Sequence, residues 1–583
     1  MLNIPSDRKA LVVWAQNLIE ACRASSGDRA SLYRLLATLV ETGTDDPATR
    51  SRMNLMYHHL RRTESHLFSP IQMQFAIDFE REYPKQVYER GQAVGRVLTR
   101  NWALNDTDRA FAQGVFEALK YGACILKQWV EESGPKRSPK YRRKLIMPWQ
   151  FGVYREDEGD LDLQSAMVET TYLSMPQIWQ RIAHLPDAGN LMKRISSHAQ
   201  RGTAPDDPSS FLGNILSTNT INTSGNTIAG AGSPGGVAIF GAPSAPTPGA
   251  SVDVDLVKFH EIWVKGPEDY VTIQLIDPDV LIMPYFSGDM MTRKTNALIP
   301  GKINSGIHPY TLIQPNETSG NFWGRSEIID LIEPQVMITQ TTNDARRLFG
   351  LQVDKYLAFQ GVDGDIDEVY DTMRSAGYAN LGQNGQVNDL TPKFPPETLP
   401  YMKSLIDSFN IIGGFPSVMQ GEGDAGVRAG SHADTLLKTG SPRLRSMSLA
   451  VERNCAHAGE LTLALAEVKD GSNYWTNGKT MDDIKETSFI LNDLPDDRHV
   501  IIDSHSTSPI FMDDHEQLVA FGAKLGWIGA EEGIRMLPLP NQELLIAKYN
   551  ERQEAAAKEK QQMMQQYPDL GEKVALKSMT GRK

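Results

Sequence analysis

WGRSEIIDLIEPQVMITQTTNDARRLFG, residues 323–350, is the stretch on which the fold turns. From Ser326 to Gly350 its texture is helical, and Ser326 is of the type that caps a helix start. Pro334 either kinks this stretch or sits in the first turn of a second helix. At about 1.5 Å rise per residue the whole stretch would span about 37 Å.

Working outward toward the C-terminus, Leu351 to Lys393 is mixed and acidic. Pro396 to Ile412 then places Leu399, Met402, Leu405, Ile406, Phe409 and Ile412 on one helical stripe. Gly413 to Gly430 is rich in glycine, and His432 to Val468 is helical again, interrupted near its start by Gly440 and Pro442. The order is therefore helix, compact insert, helix, glycine-rich loop, helix. Beyond it, Ser488 to Ser506 reads as strand, and Asp514 to Leu525 and Asn541 to Met564 as helix. From Pro568 the chain reads as a frayed tail.

Toward the N-terminus, residues 253–290 carry VDVDLVKFHEIWV, YVTIQLID and VLIMPYF, which alternate well enough for a small antiparallel sheet. Between Pro208 and Val252 there is no charged residue, and Gly, Ser, Thr, Asn, Pro and Ala dominate. Such a tract buries too little apolar surface to offset its ordering entropy, so it is expected to be a flexible insertion within a lobe. Lys144 to Glu169 reads as short strands and Met175 to Ile195 as a short helix. Residues 1 to about 130 read as helical, Asp106 to Trp129 most clearly, with Asp106 or Thr107 as its cap. Within it, Gly122, Ala123 and Cys124 are small enough to let another backbone come close. Lys136 to Lys144 (KRSPKYRRK) holds six cations in nine residues, either a phosphate patch or a hairpin kept soluble by charge.

A chain of 583 residues has room for three or four lobes at roughly 150 residues each. Its formal charge of −13 excludes a binder whose nucleic-acid affinity comes from a basic surface, because phosphate affinity needs clustered cations. An acidic chain can still handle DNA that must slide. Cys22, Cys124 and Cys455 are too far apart for a zinc set or a disulfide framework, which suits a reducing compartment. The apolar run Ala10 to Ala15 is too short for a signal segment, and no stretch approaches the roughly 18 apolar residues of a membrane span. The expectation is a soluble protein made in the cytoplasm.

Motifs for chemistry are weak. Gly421, Gly423 and Gly426 spell GxGxxG, but no strand precedes them and no β/α alternation follows, so no dinucleotide cofactor is expected. Asp363, Asp365 and Asp367 imitate the first ligands of a calcium loop, yet its sixth position is Glu368 instead of Gly and its twelfth Arg374 instead of Glu. A helix N-terminus or a solvated acidic face is the better reading. Asp503, Ser504, His505 and Ser506 are triad types side by side, but triads are assembled in space. There is no HExxH, and no phosphate loop that would make the chain a motor. No catalytic residue, cofactor or metal is expected.

Three features together resemble the portal (head-to-tail connector) proteins of tailed bacteriophages, most closely the short-tailed-phage connectors. The first is the Gly324-Arg325-Ser326 step after Trp323, followed by the helix carrying Gln340, Asn343, Arg346 and Arg347. The second is the earlier helix with Phe116-Glu117-Ala118-Leu119-Lys120, the small step Gly122-Ala123 and Ile125-Leu126. The third is the helix, insert, helix and Gly-rich loop ending near Val427-Arg428-Ala429, then a further long helix. Their order covers about residues 100 to 470.

The resemblance implies an α+β, mainly helical subunit with wing, stem, clip and crown, forming a ring around a central channel. By order, residues 1–325 would be the wing, with the 208–252 insertion, and 326–350 and 396–412 the stem helices. Residues 351–395 would be the clip, 413–430 the tunnel loop, 431–505 a return of helix and strands to the wing, and 506–583 the crown and tail. It implies a homo-oligomeric ring of about twelve subunits at one capsid vertex of the virion, with double-stranded DNA passing during packaging and ejection. Its implied partners are the terminase large subunit, major capsid and scaffolding proteins, and head–tail adaptor or tail proteins, with no membrane. Residues 351–397 hold eight acidic and three basic residues, which suits a wall that phosphates slide past. Arg428 in the loop, and Arg346, Arg347, Arg443 and Arg445 near the stem, would meet either phosphates or acidic groups of a neighbouring subunit. Gly413, Gly414, Gly421, Gly423, Gly426 and Gly430 make the loop mobile. Two other readings stand beside this one: a phage nucleic-acid-processing enzyme (terminase or nuclease-like), which would need a carboxylate cluster for metals or a phosphate loop, and a scaffold or adaptor without a channel.

Overall fold

The computed structural model describes residues 2–44, 53–131, 140–201, 255–293, 307–354, 357–360, 365–376, 386–415, 442–470 and 494–502, a few positions inside these apart, together with 474–475, 489–490, 519–526, 529, 533, 549 and 552–553. The chain is mixed α and β, mainly helical, and divides into two compact units. One unit comprises Met1–Phe68 and Phe75–Ile501; the other comprises Ser69–Gln74 and Ile502–Lys583. Of the second the structure describes a helical stretch at 519–525, with Val519 buried.

In the first unit, helices α1 (Arg8–Cys22), α2 (Ser26–Thr42) and α3 (Leu55–Leu67) precede strand β1 (Phe75–Phe79), and α4 (Lys85–Leu104) and α5 (Thr107–Tyr121) follow it. Strands β2 (Cys124–Glu131), β3 (Lys140–Ile146), β4 (Phe151–Val153) and β5 (Ala166–Ser174) come next. Then come α6 (Met175–Ile182), α7 (Ala188–Ser197) and β6 (Gln200–Arg201). Strands β7 (Asp255–Lys265), β8 (Tyr270–Ile276), β9 (Val280–Met283), β10 (Tyr285–Ser287), β11 (Met290–Arg293) and β12 (Tyr310–Ile313) follow. The chain then runs through α8 (Ile332–Asp354), β13 (Leu357–Gln360), α9 (Ile366–Ala376), β14 (Gln386–Asp389), α10 (Thr398–Ile412) and α11 (Pro442–Asp470) to β15 (Tyr474–Trp475), β16 (Phe489–Ile490) and β17 (Arg498–Ile502).

The sheet in the order β4-β5-β7-β8-β9, with β6 beside β7, is the centre of the lobe. Alternation along its strands sends successive side chains to opposite faces. Ala166 and Val168 of β5, Ile262 and Val264 of β7 and Val271, Ile273 and Leu275 of β8 pack on the Leu11, Ala15, Leu18 and Cys22 stripe of α1. Met167 and Trp263 point the other way, toward Ile125, Ile146 and Tyr310 of the sheet β12-β2-β3. Leu461 and Leu465 of α11 join that second layer. Helices α6 and α7 cover a further part of the sheet through Ile178, Ile182 and Ile195.

Several elements differ from the sequence expectation, among them strand β1 (Phe75–Phe79) inside the 1–130 stretch read as helical. The helix expected over Asp106–Trp129 ends at Tyr121, because Gly122 turns the backbone to φ +100° and a Cβ there would lie 2.6 Å from the Trp323 carbonyl oxygen. Residues 124–131 then form β2, which pairs with both β3 and β12. The close backbone approach expected of the small step is thus made to the residues just before α8. The helix expected over Met175–Ile195 is two helices, with Leu185-Pro186 between them in sequence. Residues 208–252 lie outside the described residues; the chain leaves at β6 and returns at β7, which pair through Gln200–Leu256 and Arg201–Asp255. The cations of Lys140–Lys144 lie on β3, with 132–139 outside the described residues.

The two sheets are bridged by buried charge. Lys127 Nζ donates to Glu169 Oε2 at 2.6 Å and to Glu261 Oε1 at 2.7 Å, and Lys144 Nζ reaches Glu169 Oε1 at 2.9 Å. Tyr310 O–H and Trp263 Nε1–H add donors to Glu169 and Glu261 at 3.3 and 2.9 Å. Burial, the largest influence on Glu169, opposes its charge, but Lys127 and Lys144 outweigh it and hold the carboxyl at about 2. Burial likewise works against the Lys127 ammonium, and the two glutamates outweigh it and raise its pKa. A carboxyl depressed from its ordinary 4.5 contributes stability that is present above that value and lost as pH falls toward about 2. Lys127, with a raised value, loses its contribution only on the alkaline side. Glu169→Gln is therefore expected to lower unfolding free energy at neutral pH by about 3–5 kcal/mol, since it leaves Lys127 poorly met. It should also flatten the acid limb between about pH 4.5 and 2. Urea midpoints measured across that range check both effects.

Candidate functional site

Among the described residues, Gly324, Arg325, Ser326, Arg346, Arg347, Gly413 and Gly414 lie on or beside the α8–α10 pair. Gly324 has φ +60°, and a Cβ there would come within 2.5 Å of Gln314 Nε2 and 2.8 Å of the Asn316 carbonyl oxygen, so the turn requires glycine. Arg325 is exposed and pairs with Asp330. Ser326 does not cap the long helix, which starts only at Ile332: its Oγ accepts from the Ile328 N–H at 3.4 Å and donates to the Lys120 carbonyl at 2.7 Å, and the next backbone N–H, of Glu327, donates to the Leu119 carbonyl at 2.9 Å. These residues close the end of α5. The helix expected over 326–350 consequently starts later, after a 3-10 turn at Ile329–Leu331, and runs from Ile332 to Asp354. Pro334 is its third residue, in the first turn, where its missing N–H costs nothing.

Helix α8 is pinned to the lobe by Gln335. Its Nε2 donates to the carbonyls of Met53 and Gly43 at 2.9 and 3.2 Å, and its Oε1 accepts from the first N–H of α3, Leu55, at 3.0 Å. Thr339 Oγ1 donates to the same Gly43 carbonyl at 2.8 Å. Ile338 and Ala345 continue this buried stripe. Gln340, Asn343, Arg346 and Arg347 are exposed, and neither arginine makes an ion pair among the described residues.

The second expected stem helix, 396–412, is α10, Thr398–Ile412, and it packs on α8. Of its apolar stripe, Phe409 is buried and Met402, Leu405 and Ile406 are half-buried, whereas Leu399 and Ile412 are exposed. Between α8 and α10 the insert is a β–α–β unit. Strand β13 pairs antiparallel with β14, Leu357 opposite Asp389 and Gln360 opposite Gln386, and α9 lies between them in sequence. Asp367 and Glu368 occupy the first turn of α9, where carboxylates meet the positive end of the helix, and Asp365 Oδ1 accepts from the Asp367 N–H at 3.2 Å. The aspartate run is thus a helix N-terminus; Asp363 lies outside the described residues.

The base of the pair is a charged junction that sequence reading missed. Glu327 is buried, with Oε2 accepting from Arg443 Nη2 at 2.8 Å and Asn316 Nδ2 at 2.9 Å, and Oε1 lying 3.5 Å from His59 Nε2. Arg443, expected to meet phosphate or a neighbouring subunit, is engaged within its own chain. The signal for Glu327 was a lone carboxylate amid Ser326, Ile328 and Ile329, which does not by itself identify a partner more than a hundred residues away. Gly413 and Gly414 follow α10, Gly414 with φ +76°. Gly421, Gly423, Gly426, Arg428 and Gly430 lie outside the described residues, as do Asp503 to Ser506.

The chain matches no protein-family model and no curated protein sequence. Among the described residues, no group of three or more His, Cys, Asp or Glu is placed to hold a metal ion, and no helix is long and apolar enough to cross a membrane. The three cysteines are buried; burial pushes the Cys22 thiol up to about 12 and also raises the Cys124 and Cys455 thiols well above the ordinary thiol value.

The geometry separates anchoring residues from exposed ones. Gln335→Ala is expected to lower unfolding free energy by about 2–4 kcal/mol, because it strands the Met53 carbonyl and the first N–H of α3 and leaves the Gly43 carbonyl to Thr339 alone. Arg346→Ala and Arg347→Ala should each stay within about 0.5 kcal/mol of the parent. Denaturant midpoints measured side by side check the contrast.

Proposed function

We propose that this chain is the portal protein of a tailed bacteriophage, a ring subunit at one capsid vertex whose channel carries double-stranded DNA in packaging and ejection. The observation that carries the reading is the run from α8 through the β–α–β insert to the packed α10, then the glycine-rich 413–430 and the 29-residue α11, which returns to the sheet lobe. That succession matches the stem, clip, stem, tunnel loop and return to the wing that the sequence resemblance implies.

On this reading residues 1–325 form the wing, α8 and α10 the stem, the insert the clip, and residues 506–583 the crown. The acidic clip repels phosphates and keeps DNA from lodging there, and is where the terminase large subunit and later the adaptor or tail proteins dock. Arg346 and Arg347, exposed on α8, are the cations of this face best placed to meet passing phosphates, sparse enough to avoid a tight grip. The wing and crown face the major capsid and scaffolding proteins. The ring is a homo-oligomer of about twelve copies, and its site of function is the virion.

Negative-stain electron microscopy of the purified full-length protein, with mass by light scattering, tests this reading. The expected outcome is closed rings with a central hole and a mass near twelve chains. A monomer or dimer that persists across salt and concentration, and in the presence of scaffolding protein, would overturn it.

A further inference from the structure

The chain leaves α10 at Gly413 and resumes as a helix at Pro442, and both ends of that crossing bear on one carboxylate. At the outgoing end Gly413 presses on His59: a Cβ there would come within 2.7 Å of Cε1 and 2.9 Å of Nδ1. Phe409 and Phe415 meet the same imidazole edge-on, with ring centroids 6.0 and 5.4 Å away. At the returning end Arg443 donates through Nη2 to Glu327 Oε2 at 2.8 Å and through Nη1 to the Ile412 carbonyl at 3.4 Å. Oε2 is therefore engaged by Arg443 and Asn316. Oε1 faces His59 Nε2 across 3.5 Å, and both atoms are buried without a hydrogen-bond partner.

An acceptor and a ring nitrogen left facing each other in a buried site are held just short of bonding. A movement of about 0.7 Å would bring them to the distance of a charge-assisted hydrogen bond, in the tautomer that carries its proton on Nε2. Gly413 controls the ring from one side and Arg443 controls the carboxylate from the other. We propose that this gap is a latch through which displacement of either end of the 413–442 crossing reaches α3 and the start of α8. In both states Arg443 and Asn316 hold Glu327 through Oε2; in one His59 stands off Oε1, and in the other it closes onto Oε1 and the junction tightens, a closure that needs the carboxylate kept in place by Arg443. Packed helix ends rearrange between discrete arrangements, so a sub-ångström change here is converted into a step. Glu327 and His59 are positioning residues, and the latch belongs to the single chain, so it stands independently of the portal reading.

Hydrogen exchange with mass readout on the full-length protein tests it. Gly413→Ala, which drives the ring aside, and Arg443→Met, which frees the carboxylate, should each raise exchange about five- to tenfold in the last turn of α10, in α3 and around residues 327–332. Exchange in β5, β7 and β8 should be unchanged. Arg443→Met combined with His59→Gln should give less than the product of the single effects, because both act through the same carboxylate. Exchange changes confined to residues beside each substitution, or single effects that simply multiply, would overturn the latch. Should Arg443→Met fail to fold, Arg443→Lys keeps a charge, gives up the second bond and is read by the same criteria.

Discussion

A carboxylate with no access to water must have its charge met on the spot, and Glu327 is met by Arg443 and Asn316 from two other parts of the chain. The residues around it serve the same join. Ser326 Oγ and the Glu327 N–H fill the last carbonyls of α5, Gly122 lets the backbones of 323–325 approach that helix end, and Gly324 makes the turn that brings them there. The start of α8, the end of α5 and the start of α11 are consequently one structural unit. Removing a single partner would leave a buried charge uncompensated, which is far more damaging than loss of an exposed pair such as Arg325–Asp330.

A second buried charge set, Lys127 with Glu169 and Glu261, performs the corresponding task between the two sheets. Apolar packing holds the sheets face to face, and two carboxylates converging on one ammonium further restrict their relative positions. The lobe thus offers a rigid mount, and the α8–α10 pair is held to it by Gln335 and Glu327. Farther along, the pair and its insert expose Phe349, Ile366, Leu390, Leu399 and Tyr401. On the portal reading, neighbouring copies cover much of that apolar surface.

Where the pattern is local, the sequence was readable. The alternation in Asp255–Lys265 and Tyr270–Ile276 came out as β7 and β8, and the order of helix, insert, helix appeared with boundaries shifted by a few residues. The shifts have local causes that periodicity does not register. Helical spacing ran on past Gly122 because Leu126 happens to fall in phase, while the positive φ of that glycine ends the helix. Ser326 looked like a cap, but the helix starts six residues later, and the serine hydroxyl instead ties the chain to the Lys120 carbonyl, some two hundred residues earlier. The junction residues His59, Asn316, Glu327 and Gln335 were invisible for the same reason: each is defined by a partner distant in sequence. Arg443 was noticed as a cation, but the sign of a charge does not disclose which carboxylate it meets.

On the proposed portal reading, α8 faces the transported DNA, with Arg346 and Arg347 toward the channel. The most direct measurement places a photo-crosslinking residue at position 347, and a control in α1, in a chain assembled into DNA-filled particles. The account predicts light-dependent covalent attachment to DNA from position 347 and none from α1. Attachment from 347 to protein alone, in particles shown to hold full-length genomes, would contradict it.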